Sequence, residues 1–245
     1  MNDEQFRQLG PEQFIDTAIP VILPSSGTVA ANGAITLSTA LPSVYDGGCW
    51  LYLPASALAS GISGMYYAVF SSTTVGIVYT NYGDPAAGFL PSIPSGALTP
   101  AVGTGLGYTQ TTGADISVMS KSIIGNYIGA NGTVFGEYSF VCPNNANNKF
   151  VKTKFGGSDI RSIQMTTSPA YRDNFKFKNR GRAGGQVVFP GYNSTTPFGA
   201  VTSIIPTIFS IDTSVDQLFA IALRLAAATD YAILGYVEIY ANRMN

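Results

Sequence analysis

Histidine is absent from this 245-residue chain, which removes the commonest general base, the usual zinc ligand and one member of every Ser-His or Cys-His triad. Charge is scarce as well. Asp, Glu, Lys and Arg make up 11% of the residues, well under the roughly one quarter of an average soluble domain. The net charge of −1 provides no field to draw the chain to nucleic acid or an anionic membrane, so neither is an expected partner. Cysteine occurs only at Cys49 and Cys142, with no Cys-x-x-Cys pair. Two buried free thiols are expected, with a disulfide as the alternative. The most apolar stretch, Leu218 to Leu234, is interrupted by Arg224 and Asp230, which excludes a spanning helix. The opening Met-Asn-Asp-Glu-Gln-Phe-Arg carries acids where a signal peptide needs basic residues, so no export signal is expected. This inventory calls for no metal and no cofactor.

What the chain does have is 46% apolar residues together with 27 glycines and 14 prolines, enough for a core divided by many turns. Residues 1–20 read as an arm outside that core. They hold Asp3, Glu4, Arg7, Glu12 and Asp16, and Pro11-Glu12-Gln13-Phe14 predicts a short helix start with proline in its first turn. As a docking arm on a neighbouring subunit it would use Phe6 and Phe14; a frayed terminus is the other reading. From Val21 the pattern becomes short strands. Asn32-Gly33 between Val29 and Ala34-Ile35-Thr36-Leu37 is a hairpin signal, since both turn positions tolerate positive φ. Further strands are expected at 49–53, 65–70 and 75–79. The stretch from Tyr82 to Gly113 is rich in Gly and Pro and reads as an extended segment lying across a subunit contact. Its glycines lack the order of a nucleotide-binding loop.

From Asp115 the alternation sharpens. Val134, Tyr138, Phe140 and Cys142 share one face of a strand whose other face carries Glu137 and Ser139. Similar strands are expected at 149–155, 160–166, 174–178 and 186–189. The end, Phe219 to Leu225 and then Tyr231 to Tyr240, reads as a long antiparallel hairpin. The expected fold class is all-β, a jelly-roll-like antiparallel β-sandwich over 21–245 with a short N-terminal arm. Two smaller sandwiches divided near Gly113 are the alternative.

Without imidazole, only carboxylate chemistry remains. Asp212 and Asp216 form the closest internal acid pair, and Asx-type turn capping explains them more simply than calcium or catalysis. Basic residues concentrate unevenly: nine of the thirteen fall between Lys149 and Arg182. Phe175 and Phe177 interleaved with Lys176 and Lys178 imitate a single-stranded nucleic-acid platform. An alternating strand with phenylalanines inward and lysines outward accounts for the same pattern. On that reading Lys176, Lys178, Arg180 and Arg182 are partner-binding candidates, the last two on a flexible turn, Arg180-Gly-Arg182-Ala-Gly-Gly185.

Several strings resemble a family of tailed-bacteriophage virion proteins. They include Asn32-Gly33-Ala34-Ile35-Thr36-Leu37, Cys49-Trp50-Leu51-Tyr52-Leu53-Pro54 and Ser71-Ser72-Thr73-Thr74-Val75-Gly76. Thr213-Ser214-Val215-Asp216-Gln217 and Ala228-Thr229-Asp230-Tyr231-Ala232 extend the likeness to the C-terminal part. The resemblance implies a non-enzymatic virion protein, assembled in the host cytoplasm and typically a homotrimer. Its partners would be sister copies and the major capsid or tail proteins, which it would decorate as a cement protein or use to anchor a fibre. A tail-associated receptor protein that grips glycan through tyrosines is the alternative, and a carboxylate-only glycan hydrolase a third.

Overall fold

The computed structural model describes residues 12–17, 19–30, 33–57, 63–79, 106–189 and 207–243. The N-terminal elements are β1 (Glu12–Thr17), β2 (Val21–Leu23), β3 (Gly27–Val29), β4 (Ala34–Leu37), β5 (Cys49–Leu53), β6 (Gly64–Phe70), β7 (Val75–Tyr79) and β8 (Leu106–Tyr108). They are followed by β9 (Ile116–Ile123), β10 (Thr133–Val141), β11 (Lys149–Phe155), β12 (Ser158–Met165) and β13 (Ala170–Asn179). The last are β14 (Gln186–Phe189), β15 (Thr207–Phe209), β16 (Gln217–Leu225) and β17 (Ala232–Asn242). A one-turn 3-10 helix at Ala55–Ala57 is the only helical element among the described residues, and the fold is an all-β sandwich.

Two sheets build it. The larger runs β15-β14-β13-β10-β17-β2-β5-β6-β7-β4-β3-β8, and the smaller runs β12-β11-β16-β9. One long strand organises the larger sheet. Along one edge β17 pairs with β10 over almost its whole length; along the other it pairs first with β2 and then with β1. Nearly all pairings are antiparallel, but β2 lies parallel to β5.

Two apolar cores lie on opposite faces of the larger sheet. In the first, Val151, Phe155, Phe219, Ile221 and Leu223 of the smaller sheet meet Val134, Tyr138, Phe140, Phe175, Phe177, Val237 and Ile239 of the larger one. The second gathers Ile35, Leu51, Leu53, Ala68, Phe70 and Val78 from the N-terminal strands. The two meet back to back at β2 and the start of β17. There Val21, Leu23 and Leu234 face the first core while Ile22 and Ile233 face the second. This is why Val21-Ile22-Leu23 and Ala232-Ile233-Leu234 are unbroken apolar runs: with both faces covered, a strand has no polar side to alternate with.

Residue choice enforces close approach at one point on β10. At inward-facing Gly136, a Cβ would sit 2.4 Å from the Glu238 carbonyl oxygen of β17, so only glycine lets these two central strands pair there.

Two sequence expectations need correction. Residues 12–14 do not start a helix; they belong to β1, which pairs with β17. A helical signal of one turn cannot compete with a row of unpaired backbone groups on a neighbouring strand edge. Nor do Phe219–Leu225 and Tyr231–Tyr240 form a hairpin. β16 is central in the smaller sheet and β17 in the larger one, so the chain crosses the sandwich between them. Strands that face each other across a core show the same apolar period as strands that pair, so the pattern could not separate the two cases. The crossover is tied down by Ser26, whose N–H and hydroxyl both donate to the Ala228 carbonyl at 2.8 and 3.0 Å. Asn145 reinforces it by donating to the buried Asp230 carboxylate at 2.8 Å.

Elsewhere the expected strands are present. The chain around Asn32-Gly33 forms the β3–β4 pair, with Gly33 at φ 83°; Asn32 lies outside the described residues. Most of Tyr82 to Gly113 also lies outside them, except for a C-terminal piece that supplies β8. Cys49 and Cys142 are free and buried, one in each core.

Candidate functional site

The nine basic residues between Lys149 and Arg182 separate into two groups. Five are engaged by partners within the chain. Lys149 is fully buried, and its ammonium donates to the Asn145 carbonyl, Asn145 Oδ1 and the Thr166 carbonyl at 3.3, 2.6 and 3.0 Å. Lys152 and Lys154 are neighbours on the outer face of the smaller sheet, where each bridges Asp115 and Asp159. Lys152 Nζ lies 2.9 and 2.7 Å from the two carboxylates, and Lys154 Nζ 2.9 Å from Asp115. Partial burial pushes both carboxyl groups up, but hydrogen bonds from Lys152 and Lys154 outweigh it, and both stay below the ordinary carboxylate value. The lysine stems lie along Ala220 and Ala222 of β16, their register partners, which explains why these two alanines are buried although they face away from the core. Beside them, the Arg224 guanidinium sits 3.9 Å above the Phe150 ring, a cation–π contact.

Arg161 makes a two-pronged bond to Asp173, at 2.9 and 3.0 Å, and Tyr138 donates to the same carboxylate at 3.2 Å. The Asp173 side chain is wholly excluded from solvent. An inward-facing acid in an apolar core is tolerable only with such a fork, because an unpaired buried charge costs several kcal/mol. Arg172, on the opposite face, pairs with Glu137.

The other group is Lys176, Lys178, Arg180 and Arg182. None has a carboxylate within ion-pair distance among the described residues. Lys176 and Lys178 project from the outer face of β13, and Arg180 and Arg182 are exposed on the β13–β14 turn, which is closed by the Arg180 N–H donating to the Gly185 carbonyl at 2.9 Å. Phe175 and Phe177 point the other way, 3% and 1% exposed in the first core, and cannot stack on bases. Of the arm candidates, Phe6 lies outside the described residues. Phe14 occupies the irregular step of β1, where the register slips between Gln13 and Ile15.

Sequence reasoning passed over a feature on this same face. Glu137 of β10 and Glu238 of β17 are directly opposite one another. Like charges in directly opposed positions destabilise a sheet. Glu238 accepts a hydrogen bond from the Tyr240 hydroxyl at 3.1 Å. A further bond from Tyr236 pushes that phenol up to about 12. The period of two could place Glu137 outward, but only the pairing of strands a hundred residues apart in sequence could set it against Glu238.

Asp212 is a turn former, and Asp216 ties two distant segments together. Asp212 Oδ1 accepts from the Ser214 N–H at 2.9 Å and its hydroxyl at 2.6 Å, and Asp216 Oδ1 accepts from the Gly125 N–H at 2.8 Å. The two Asp212 contacts are of Asx type, whereas the Asp216 contact joins segments far apart in the sequence and is not the turn cap expected of it.

The fold and surface define a class, an all-β sandwich with an unevenly charged exterior. No protein-family model and no curated protein sequence matches the chain.

Proposed function

We propose that this chain is a non-enzymatic, homo-oligomeric structural subunit of a bacteriophage virion, one that decorates the capsid or anchors a fibre. The observation that carries this reading is how its charge is distributed. Between Thr17 and Ala114 the only charged residues are Asp46 and Asp84. The sheet built from that segment presents exposed Val75 and Ile77, 42% and 40% accessible, and Val44 in the β4–β5 connection is 44% accessible. A broad surface with almost no charge matches the depleted centre of protein–protein contacts, and suits a protein that works by being covered. The resemblance of the turn-and-strand strings to tailed-phage virion proteins supports the same reading.

The carboxylates favour it over glycan hydrolysis. A glycosidase needs one acid held protonated near neutral pH by a raised pKa. Asp115 and Asp159 are shifted the opposite way by shared lysines, and Asp212 is lowered by its bonds to the Ser214 hydroxyl and N–H. Their work is to hold strands and turns.

The test is direct. Particles produced from the genome that encodes the chain are imaged with an antibody against it, and the purified chain is weighed by light scattering. Regular labelling of the particle and a mass that is a multiple of 25.8 kDa are expected. A monomer that fails to bind capsids and tails overturns the reading.

A further inference from the structure

The outer face of β13-β10-β17 is short of partners for both signs of charge. Its acidic row, Glu137 opposite Glu238, has Arg172 as its only cation among the described residues. Lys176 and Lys178 have no carboxylate within ion-pair distance among the described residues. The two sets lie in successive rows of one face. Glu137 is the register partner of Asn174, two residues before Lys176 on β13 and four before Lys178, or roughly 7 and 13 Å along the strand. Between them lies an aromatic pair: Phe135 is the register partner of both Lys176 and Tyr240, and its ring stacks on that of Tyr240 at 5.6 Å with 20° between the planes.

We infer that this face binds a second copy of the same chain, with the acidic row of each copy against Lys176 and Lys178 of the other. The spacing makes the face complementary to itself. An in-plane two-fold axis that runs obliquely to the strands through Phe135 brings Glu137 of one copy over Lys176 of the other and Glu238 over Lys178, and the reverse contacts follow by symmetry. The aromatic pair then meets its own copy at the centre, with opposed charges around it. That is the arrangement of an aromatic anchor within a polar rim. The repulsion between Glu137 and Glu238, relieved in the single chain only by Arg172 and the tyrosine hydroxyls, is relieved further by the partner's ammonium groups. Charge pairs of this kind set register and partner choice. The inference deepens the homo-oligomeric part of the function proposed above and rests on it.

Analytical ultracentrifugation of the full chain tests this with four samples: wild type, Lys176→Glu/Lys178→Glu, Glu238→Lys, and an equimolar mixture of the two variants. Self-association of the wild type should weaken at least tenfold in each variant and weaken with added salt. The mixture should recover a mixed complex, since a face with added acid then meets one with added base. Near-UV circular dichroism checks that each variant folds. If Glu238→Lys does not, Glu238→Gln takes its place; it keeps an acceptor for the tyrosine hydroxyls and should weaken association while flattening its salt dependence. A wild type that associates but is indifferent to every variant, or variants that fail to recover on mixing, overturns this face alone. A wild type that stays monomeric throughout overturns both the face and the oligomeric part of the proposed function.

Discussion

The two cores are held by different means. The N-terminal one, around Leu51, Ala68 and Phe70, is made by β3 to β8, a region in which every described strand is free of charged side chains. There, register is set by apolar alternation and by turns, such as Gly48 at φ 91° with the Tyr67 hydroxyl donating to the Gly47 carbonyl at 3.2 Å. The first core, by contrast, is framed by ion pairs that join neighbouring strands: Arg172 to Glu137 across β13 and β10, and Lys152 and Lys154 to Asp159 across β11 and β12. A one-residue slip in a sheet inverts every side chain, and in this region it would also break ion pairs. Burial without charge is enough to form a core, whereas ionic contacts on its outer faces add a second constraint on which strands pair.

The comparison can be broken from either side. Phe70→Ala in one core and Phe219→Ala in the other should each cost about 3–5 kcal/mol, since both rings are fully buried and truncation leaves a cavity. Because one continuous sheet crosses both cores, denaturant should give a single transition in both variants. Two separated transitions would show that the regions fold independently.

Arg161→Ala should cost about 3 kcal/mol or slightly more, because it leaves the Asp173 carboxylate buried and unpaired. The loss should exceed that of any charge removed from the outer faces, as measured by thermal or denaturant unfolding.

Each core contains one cysteine that can report on it. Burial pushes the Cys49 thiol up to about 12 and the Cys142 thiol up to about 11, so neither should react with a disulfide reagent at pH 8 in the native protein. In mild denaturant both should become reactive at the same rate if the sheet opens as a unit. Faster labelling of Cys49 alone would mark the uncharged region as the weaker part.

The acid response should belong to the charged region. Asp115 and Asp159 have folded pKa values below the ordinary 3.8, so in acid the unfolded chain takes up protons before the folded one does. Their contribution is complete above that value and is lost as pH falls through the folded pKa. A pH series of unfolding midpoints should therefore fall below about pH 4, and Lys152→Met/Lys154→Met should flatten the fall. Lys154→Ala alone should cost under about 1 kcal/mol at neutral pH, the smallest effect in the set, because its ion pairs are partly solvated.

Much of the strand pattern was legible in the sequence. Cys49–Leu53, Val75–Tyr79 and Lys149–Phe155 stand where alternation and turn residues place them, because each has one face in a core. The short strand at residues 12–17 was not legible, since its partner, the edge of β17, is more than two hundred residues away. For the candidate site, Lys176 and Lys178 could be read as outward from the inward Phe175 and Phe177. The other half of that surface, Glu137 opposite Glu238, could not.

The sequence by itself determined the all-β class, the scarcity of charge in the N-terminal half, the turn role of Asp212, and the outward aim of the basic side chains on β13. Each is a local consequence of period and residue chemistry. Only the tertiary structure decided that β16 and β17 face each other across the sandwich, that Arg161 reaches Asp173, and that two glutamates share one row of an outer face. These are pairings between distant segments, and an alternating strand carries no mark of its partner until burial on both sides of the sheet selects one.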